Sequence, residues 1–451
     1  MSLFKTDMPD PNPHQQQFLS LAPPSPKAIE LAKALDLFSN MPRKELFTTE
    51  TPIWRADYLS QLISSKLGKE INIFVKCDHL AIVRSQNNQT SYGGNKNRKL
   101  EFLLGDALSL EPTNKEKLVI ITAGGVQSNH VLQTAIACDK LGIKCEIVYG
   151  YNLSNPKSGG PSGEGAANVG NYAQVQKLTK KIHWVERADR DKQMLALAKE
   201  LTTQGKTPYI IPVGGSNGVG ALGYAYGFIK LQQQLENGEA ITNSIPASPT
   251  ALSLSHLMGS KQSIPNSKID KIILATSSGG TLAGIIAGAS LTGYPLENIL
   301  GVSIDNPKDS NFEKKIAELA TECLDYIYLQ KGDIDPTNPE RYGLSQNKIN
   351  IDYSQADIPY GVLDPLDPRA HLIVFAMDAI YKEGIIEADP VYTGKALAAM
   401  ITMAEQPESP LSKLKDGDQI LYIHTGGSGA NPAYEDEIKK ICPLYFRRLK
   451  S

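Results

Sequence analysis

From about residue 51 onward, the hydrophobic and polar positions of the chain alternate between two periods. Short apolar runs have the length of one buried strand, and the segments between them carry apolar residues every three or four positions, as an amphipathic helix does. Because strands that alternate with helices form parallel sheets covered on both faces, this pattern predicts an α/β protein. The predicted strands are 118–122, 145–149, 182–185, 209–213, 269–275, 300–304 and 419–423, and the predicted helices include 28–38, 128–141 and 192–201.

The length and the loop composition bear on the domain organisation. The chain has 451 residues, which is too long for one core of ordinary size, so two domains with extensions are predicted. Three stretches rich in Gly, Ser, Asn, Pro or Asp look inserted, at 152–170, 237–267 and 331–359. Loops of this length are uncommon inside compact domains, so each is predicted to decorate the surface, form an interface or act as a lid.

Composition argues against several classes of partner. The net charge is −2 and the basic and acidic residues are interleaved, so no basic tract predicts binding to nucleic acid or to an anionic membrane surface. No apolar run approaches the length of a membrane span. The N-terminal residues lack the apolar core of a secretory signal, and five scattered cysteines indicate reduced thiols, so a cytoplasmic location is expected. The absence of HExxH and CxxC motifs predicts no metal site.

Four glycine-rich loops follow predicted strands: AGGVQSN at 123–129, VGGSNGVGALG at 213–223, TSSGGTLAG at 276–284 and HTGGSGA at 424–430. Ligand sites of open parallel sheets lie at the carboxyl ends of the strands, so these loops are predicted to surround one site. The loop at 276–284 best suits a phosphate, because small residues let backbone N–H groups converge where a helix begins. An ordinary capped turn without a ligand is the alternative for this loop.

The loop at 213–223 carries a second cofactor signal. Gly218, Gly220 and Gly223 match the GxGxxG pattern of dinucleotide sites. The acidic residue that should close a second strand about 20 residues later is missing, because that stretch continues as a helix and then a Ser/Pro-rich segment. A dinucleotide site is therefore the weaker interpretation.

Lys96 lies in YGGNKNRKLEFLL, directly after two glycines and at the start of a predicted helix. Burial and the positive end of a helix both favour a neutral amine, which Schiff-base chemistry requires. The alternative is an exposed lysine in a first helical turn, which is the commoner situation for lysine. Lys395, in DPVYTGKALAAM, is a rival that lacks the paired glycines, and Tyr392 in the same segment suits stacking on a flat ring.

These segments together resemble a known family. In the same order, they are similar to the pyridoxal-phosphate enzymes of the D-cysteine desulfhydrase and 1-aminocyclopropane-1-carboxylate (ACC) deaminase family, with the tryptophan synthase β-like fold, fold type II. The resemblance covers about residues 38–437. It implies pyridoxal phosphate in a cleft between two open parallel-sheet domains, and a homodimer. The implied division is an N-terminal extension at 1–40, a large domain of 41–100 and 213–451, and a small domain of 101–212.

The resemblance also implies roles for single residues. Lys96 resembles the Schiff-base lysine, Tyr392 the tyrosine against the cofactor ring, and Ser128 a catalytic serine that faces the substrate carboxylate. The residues implied in cofactor binding are Lys96, Asn129, Ser277, Ser278, Gly279, Gly280, Thr281, Tyr392, Thr393 and Thr425. The residues implied in substrate binding are Gln127, Ser128, Asn129 and Lys99.

Two positions bear on the substrate. ACC deaminases carry a glutamate after the tyrosine and HLGG later in the chain, whereas this chain has Thr393 and, in HTGG, Thr425. A hydroxyl at the pyridine nitrogen resembles the D-cysteine desulfhydrases. The resemblance therefore implies α,β-elimination of D-cysteine to pyruvate, hydrogen sulfide and ammonia, with Lys96 or Tyr392 removing the α-proton. Two alternatives stay open: ACC deamination to 2-oxobutanoate, and a non-catalytic binding protein that keeps the fold.

Overall fold

The computed structural model describes residues 24–86, 88, 91–151, 169–241, 261–262, 268–308, 311–329, 342–384 and 387–450. Most of the N-terminal extension, most of the first two insertions and about the first third of the last one lie outside the described residues. The lid, interface or surface role predicted for them therefore stays a prediction. Among the described helices, none combines the length and the apolar composition needed to cross a membrane.

The helices and strands follow one another along the chain in the alternation that the sequence predicts. The described helices are α1 Pro26–Asp36, α2 Asp57–Leu67, α3 Asn95–Ser109, α4 Asn129–Leu141, α5 Gly170–Leu178, α6 Arg190–Thr203, α7 Gly218–Glu236, α8 Gly280–Leu291, α9 Phe312–Leu329, α10 Pro368–Tyr381, α11 Thr393–Glu405, α12 Glu435–Ile441 and α13 Pro443–Lys450. The described strands are β1 Ile53–Arg55, β2 Asn72–Lys76, β3 Val83–Arg84, β4 Ser91–Tyr92, β5 Leu118–Gly124, β6 Lys144–Tyr151, β7 Ile182–Glu186, β8 Thr207–Ile211, β9 Ala240–Ile241, β10 Lys261–Gln262, β11 Lys271–Thr276, β12 Ile299–Ser303, β13 Ile351–Asp352 and β14 Gln419–Ile423.

Two larger sheets carry the fold. One has eight strands in the order β10-β9-β1-β2-β14-β11-β12-β13, and the other has four strands in the order β7-β6-β5-β8. All pairs of the four-stranded sheet are parallel, and in the larger sheet only β1–β2 and β9–β10 are antiparallel among the described pairs. The predicted α/β fold with parallel sheets is confirmed, while the boundaries of the two domains stay a prediction.

Burial on both faces explains why the strands consist mainly of consecutive apolar residues. Every residue of β5, with the sequence LVIITAG, is buried, because helices cover both faces of its sheet. β5 and β11 end in glycine-rich segments, and helices α4 and α8 begin a few residues later. The loops that the sequence marked as sites therefore lie at the carboxyl ends of the strands.

The glycines of the GxGxxG pattern have a packing role. A Cβ added at Gly220 would lie 2.1 Å from the carbonyl oxygen of Gly215, and one at Gly223 would lie 2.1 Å from the carbonyl oxygen of Arg98. Glycine therefore lets α7 approach the preceding turn and the backbone of α3. This close packing accounts for the pattern without a dinucleotide.

The described part of the third insertion belongs to the packed structure. Strand β13 lies beside β12 at the edge of the large sheet, and Ile358 is buried. The carbonyl oxygen of Ile358 accepts a hydrogen bond of 2.9 Å from the Lys395 amine. For residues 342–359, the expectation of a surface decoration is thus wrong, because these residues extend the sheet and cover its core.

Helix α3 is fixed by a buried charge network. The Arg98 guanidinium donates to Asp78 at 2.9 Å and to the Thr51 hydroxyl at 2.8 Å, and the Tyr224 hydroxyl donates to the other oxygen of Asp78 at 2.6 Å. Burial alone would raise the pKa of Asp78, but the charges of Arg98 and Lys76 outweigh it and lower that pKa. The network holds in place the helix on which Lys96 lies.

Replacing Arg98 by Met should lower the free energy of unfolding at pH 7 by about 3–5 kcal/mol, because the carboxylate of Asp78 would stay buried without its partner. In the native protein, the lowered pKa of Asp78 contributes stability that is present above its unfolded value of about 3.9 and is lost as the pH falls through the folded value. The difference in the free energy of unfolding between the native protein and the Arg98→Met variant should therefore become smaller below about pH 4. Urea unfolding at several pH values measures this difference.

The matched control is Arg55→Met, which removes a pair with Asp57 whose side chains are 34% and 39% exposed. An exposed ion pair contributes about 0–1 kcal/mol to stability, so Arg55→Met should lower the free energy of unfolding only slightly at every pH. Equal losses in the two variants would contradict the role given to the buried network.

Candidate active site

One cavity gathers most of the residues that the sequence marked. It is lined by residues from the loops after β5, β11 and β14 and from the first turn of α3. The predicted site residues on its wall are Lys96, Gln127, Ser128, Asn129, Ser277, Ser278, Gly279, Thr281, Tyr392 and Thr425. The wall does not include Lys99, Gly280 or Thr393.

The first turn of α3 is clamped between two of the loops. The backbone N–H of Asn95 donates to the carbonyl oxygen of Thr425 at 3.0 Å, and its side-chain amide donates to the Thr281 hydroxyl at 2.9 Å. Gly94, the residue before the helix, has a φ of +146° and bridges to Gly426. A Cβ at Gly94 would lie 2.6 Å from the Gln133 amide nitrogen, so only glycine fits at this close approach.

This clamp puts the Lys96 side chain on the cavity wall. Burial lowers the pKa of its amine from the ordinary value of 10.5 to about 8. Among the described residues, none forms a hydrogen bond or an ion pair with this amine. Lys96 therefore offers a free amine with a substantial neutral fraction near neutral pH, as a Schiff-base lysine requires.

Lys395 differs from Lys96 in its contacts rather than in its pKa. Burial lowers the pKa of Lys395 to about 8 as well. Its amine, however, donates to the carbonyl oxygens of Ile304 at 3.0 Å and Ile358 at 2.9 Å. An amine held by two main-chain carbonyls is structural, so the geometry favours Lys96 over this rival.

The amino end of α8 faces the cavity without a capping side chain. The N-cap residue is Gly279, with a φ of +89° and no side-chain cap bond. The Ser278 hydroxyl lies 2.7 Å from the Ser216 hydroxyl, which also accepts from the Gly280 backbone N–H at 3.3 Å. A helix amino end with hydroxyls beside it suits a phosphate. We call this amino end of α8, with the Ser278 and Ser216 hydroxyls, the phosphate cradle. Gly280 lies behind the cradle, because its N–H is directed to Ser216.

The loop after β5 presents a second set of polar groups. Ser128 caps α4 and accepts from the Val131 N–H at 3.3 Å. The Asn171 amide donates to Asn129 Oδ1 at 2.7 Å, and the Asn171 N–H donates to the Gln127 side chain at 2.9 Å. With its oxygen occupied, Asn129 keeps its amide nitrogen as a donor. Asn171 was missed by the sequence analysis, because it follows an insertion and belongs to no motif.

Two tyrosines form a hydrogen-bonded pair on the cavity wall. The hydroxyls of Tyr392 and Tyr360 lie 2.5 Å apart, and both rings line the cavity. Burial, together with the neighbouring Tyr360, raises the pKa of Tyr392 well above 10, so Tyr392 is a phenol at neutral pH. Tyr360 was missed because it directly follows a segment read as an insertion, although an aromatic residue at the end of such a segment was an available signal.

Two predicted contacts need correction. The Thr393 hydroxyl donates to the Asp389 carboxylate at 2.8 Å and accepts from the Asp389 N–H at 2.8 Å, so it is buried and turned away from the cavity. Thr425 does lie on the wall. Lys99 lies one turn deeper than Lys96, and its amine donates to the Gly214 carbonyl at 3.1 Å behind the phosphate cradle. This position explains why Lys99 is absent from the wall that would touch a substrate.

Comparison with known proteins identifies the class. The sequence pattern of the family described as "Pyridoxal-phosphate dependent enzyme" matches residues 44–426. The chain therefore belongs to this family of pyridoxal-phosphate dependent enzymes, and pyridoxal phosphate is its cofactor. Lys96, the Asn129 amide and the uncapped amino end of α8 fit an aldehyde, a ring oxygen and a phosphate, respectively.

Three known proteins are similar to this chain over most of its length. The chain is 31% identical over 410 residues to the D-cysteine desulfhydrase of Klebsiella pneumoniae subsp. pneumoniae, covering 90% of this chain and 100% of that protein. It is 30% identical over 401 residues to the D-cysteine desulfhydrase of Yersinia enterocolitica, covering 89% and 98%. The crystal structure of an ACC deaminase homologue has a TM-score of 0.63 at 27% identity, covering 91% of this chain and 99% of that chain.

The lowered pKa of Lys96 predicts how the apoprotein captures its cofactor. Because only the neutral amine reacts, the rate of covalent attachment of pyridoxal phosphate at Lys96 should rise with a midpoint at about pH 8 and level off above it. Borohydride trapping at pH 6–10, followed by peptide mass spectrometry, measures the rate at this residue.

Free Nα-acetyl-lysine in the same sample is the control lysine, and its labelling should keep rising towards the ordinary lysine pKa of about 10.4. Lys96→Ala should lose the specific adduct altogether. A Lys96 midpoint that coincides with the control lysine would contradict the assignment.

Proposed function

We propose that this enzyme is a lyase that eliminates hydrosulfide from D-cysteine and yields pyruvate, hydrogen sulfide and ammonia. The observation that carries the proposal is the single cavity lined by Lys96, Ser128, Asn129 and Tyr392, in a chain that aligns with 100% of a D-cysteine desulfhydrase. Thr425 on the wall adds support, because a hydroxyl rather than a carboxylate is expected at the pyridine nitrogen for this reaction.

Bound pyridoxal phosphate supplies an electron-withdrawing ring that stabilises negative charge on the substrate α-carbon. The amino end of α8 would hold the phosphate, and the amino end of α4 with Ser128 would orient the substrate carboxylate. These two anchors set the angle at which the Cα–H bond meets Lys96.

The pKa directions of Lys96 and Tyr392 support one assignment of the proton transfers. The Lys96 amine, with a pKa of about 8, is the base that accepts the α-proton. Tyr392, whose pKa is raised well above 10, stays protonated and is the acid. As the Cβ–S bond breaks, sulfur keeps the electron pair and takes the Tyr392 proton, and Tyr360, 2.5 Å away, can replace it.

ACC deamination to 2-oxobutanoate is the second candidate. It is supported by the fold similarity to an ACC deaminase homologue, with a TM-score of 0.63. The argument from Thr393 against this candidate is weaker than the sequence suggested, because that side chain is turned toward Asp389. Thr425 and the full-length desulfhydrase relatives keep D-cysteine as the preferred substrate.

We also propose a homodimer in the cytoplasm, with the two-domain division given above. The family resemblance supports the dimer, and Leu366, which is 90% exposed, is an apolar residue that an interface could cover. The scattered cysteines, four buried and all reduced, support a reducing compartment. Light scattering of the purified protein tests the dimer.

Assays with D-cysteine, L-cysteine and ACC separate the candidate functions. We expect sulfide and pyruvate in equal amounts from D-cysteine, and at most slow release of 2-oxobutanoate from ACC. If ACC is the faster substrate, the second candidate replaces the first. If the cofactor-loaded protein, with its absorbance at visible wavelengths, turns over none of the three, both candidate reactions fail.

Tyr392→Phe should lower kcat for D-cysteine by about 10²-fold, because the leaving sulfur loses its proton donor. The cofactor absorbance should persist, since Lys96 is untouched. Tyr422→Phe is the matched control: its hydroxyl donates to the Thr393 carbonyl at 3.0 Å and does not line the cavity. Equal loss of kcat in the two variants would contradict the role of Tyr392 as an acid.

A further inference from the structure

Two arginines on the cavity wall have no part in the chemistry described above. Arg187 and Arg190 follow β7 and line the same cavity as Ser128 and Tyr360. They come from the carboxyl edge of the four-stranded sheet, in which β6 lies between β7 and β5. Nothing in their sequence, VERADRDK, matches a motif.

The arginine pair, Arg187 and Arg190, is held in place by specific contacts. Arg190 Nε donates to the carbonyl oxygen of Arg187 at 2.9 Å. A Cβ added at Gly150 would lie 2.5 Å from Arg190 Cδ, so this glycine leaves room for the arginine stem at the end of β6. The Arg187 guanidinium lies 5.7 Å from the centre of the Tyr360 ring, within the range of a cation–π contact.

Within the ranges that the structure describes, neither guanidinium of the arginine pair forms an ion pair with a carboxylate. Burial lowers the pKa of Arg190, and the charge of Arg187 lowers it further, while nearby Asp191 opposes the change. Asp305 also lines the cavity, but it follows β12 in the other sheet. Two adjacent guanidiniums without a counter-ion favour an anionic ligand.

The cofactor phosphate has a different candidate position in the cavity. The phosphate cradle at the amino end of α8 contacts Ser216 and Gly214, whereas the arginine pair contacts Gly150 and Tyr360. The substrate carboxylate already has the amino end of α4. The arginine pair thus offers a third anion position, beside Tyr360 and its hydrogen-bonded partner Tyr392.

We propose that Arg187 and Arg190 select substrates whose leaving group carries a tetrahedral oxyanion, such as an S-sulfo group. The inference rests on the proposed elimination reaction. With S-sulfo-D-cysteine, the α-proton moves to Lys96 and the Cβ–S bond breaks with its electron pair on thiosulfate. Water then releases pyruvate and ammonia, so the step needs no oxidant or reductant.

The kinetic test compares S-sulfo-D-cysteine with β-chloro-D-alanine, whose leaving group is uncharged in the substrate. In the Arg187→Gln/Arg190→Gln variant, kcat/KM for S-sulfo-D-cysteine should fall about 10- to 100-fold, mainly through KM, because two charge-assisted contacts are lost. For β-chloro-D-alanine, kcat/KM should change by less than about twofold. Gly150→Ala, which displaces Arg190 and keeps its charge, should give a smaller loss with the same selectivity.

Arg447→Gln on α13 is the control for the loss of a positive charge away from the site, because Arg447 is exposed and lies outside the cavity. An equal fall in kcat for both substrates in the double variant would overturn the proposal. It would mean that Arg187 only positions the Tyr360 ring. Unchanged kinetics with both substrates would overturn the proposal as well.

A binding measurement keeps this proposal separate from the proposed function. Calorimetric titration of the cofactor-loaded protein with thiosulfate needs no turnover. The double variant should bind thiosulfate at least tenfold more weakly than the native protein, whereas Arg447→Gln should bind it equally well. Weakened binding without turnover of any amino acid would support the anion site and refute the lyase, and equal binding by all three proteins would refute the anion site.

Discussion

The hydrogen bonds of Asn95 are the constraint on which the candidate site depends. They join the first turn of α3 to the loop after β14 and to the amino end of α8, at 3.0 and 2.9 Å. Three segments that are far apart in the sequence thereby meet at one point, with Lys96 as the next residue along. The burial that lowers the pKa of Lys96 to about 8 follows from this clamp. A lysine in a freely moving first turn would stay solvated and charged.

Burial alone does not tell which charged side chains of this protein support the fold and which are candidates to bind a ligand. Their hydrogen-bond and ion-pair partners do. Arg98 is 4% exposed but shares its charge with Asp78 and Glu50, so it contributes to the rigidity of α3. Lys395 and Lys99 are also buried, and main-chain carbonyls take up their amines. The Lys96 amine and the Arg187 guanidinium have no such acceptor among the described residues. A buried or cavity-facing cation without a partner keeps its bonding capacity for a ligand.

The seven strands that periodicity predicted lie within about two residues of observed strands, because buried parallel strands leave a strong local signal, whereas β2 and the short strands were not predicted. Lys96 and the glycine-rich loops were found for a related reason, since close backbone approach requires glycine. Tyr360, Asn171 and the arginine pair were not found, because they reach the cavity through tertiary packing of segments without periodicity. Thr393 was misjudged because the competing acceptor, Asp389, lies four residues earlier, and spacing alone does not decide which way a hydroxyl turns.

The anion positions around the cavity also bear on stereochemistry, which the sequence left open. Under the proposed function, the amino end of α8 would anchor the cofactor, and the amino end of α4 would anchor the substrate carboxylate. With the amino group joined to the cofactor and the carboxylate held, an enantiomer that turns its α-proton toward Lys96 directs its side chain away from that amine. Lys96 and the carboxylate anchor would therefore decide which enantiomer reacts. The arginine pair would then select among side chains of that enantiomer by the charge of the leaving group.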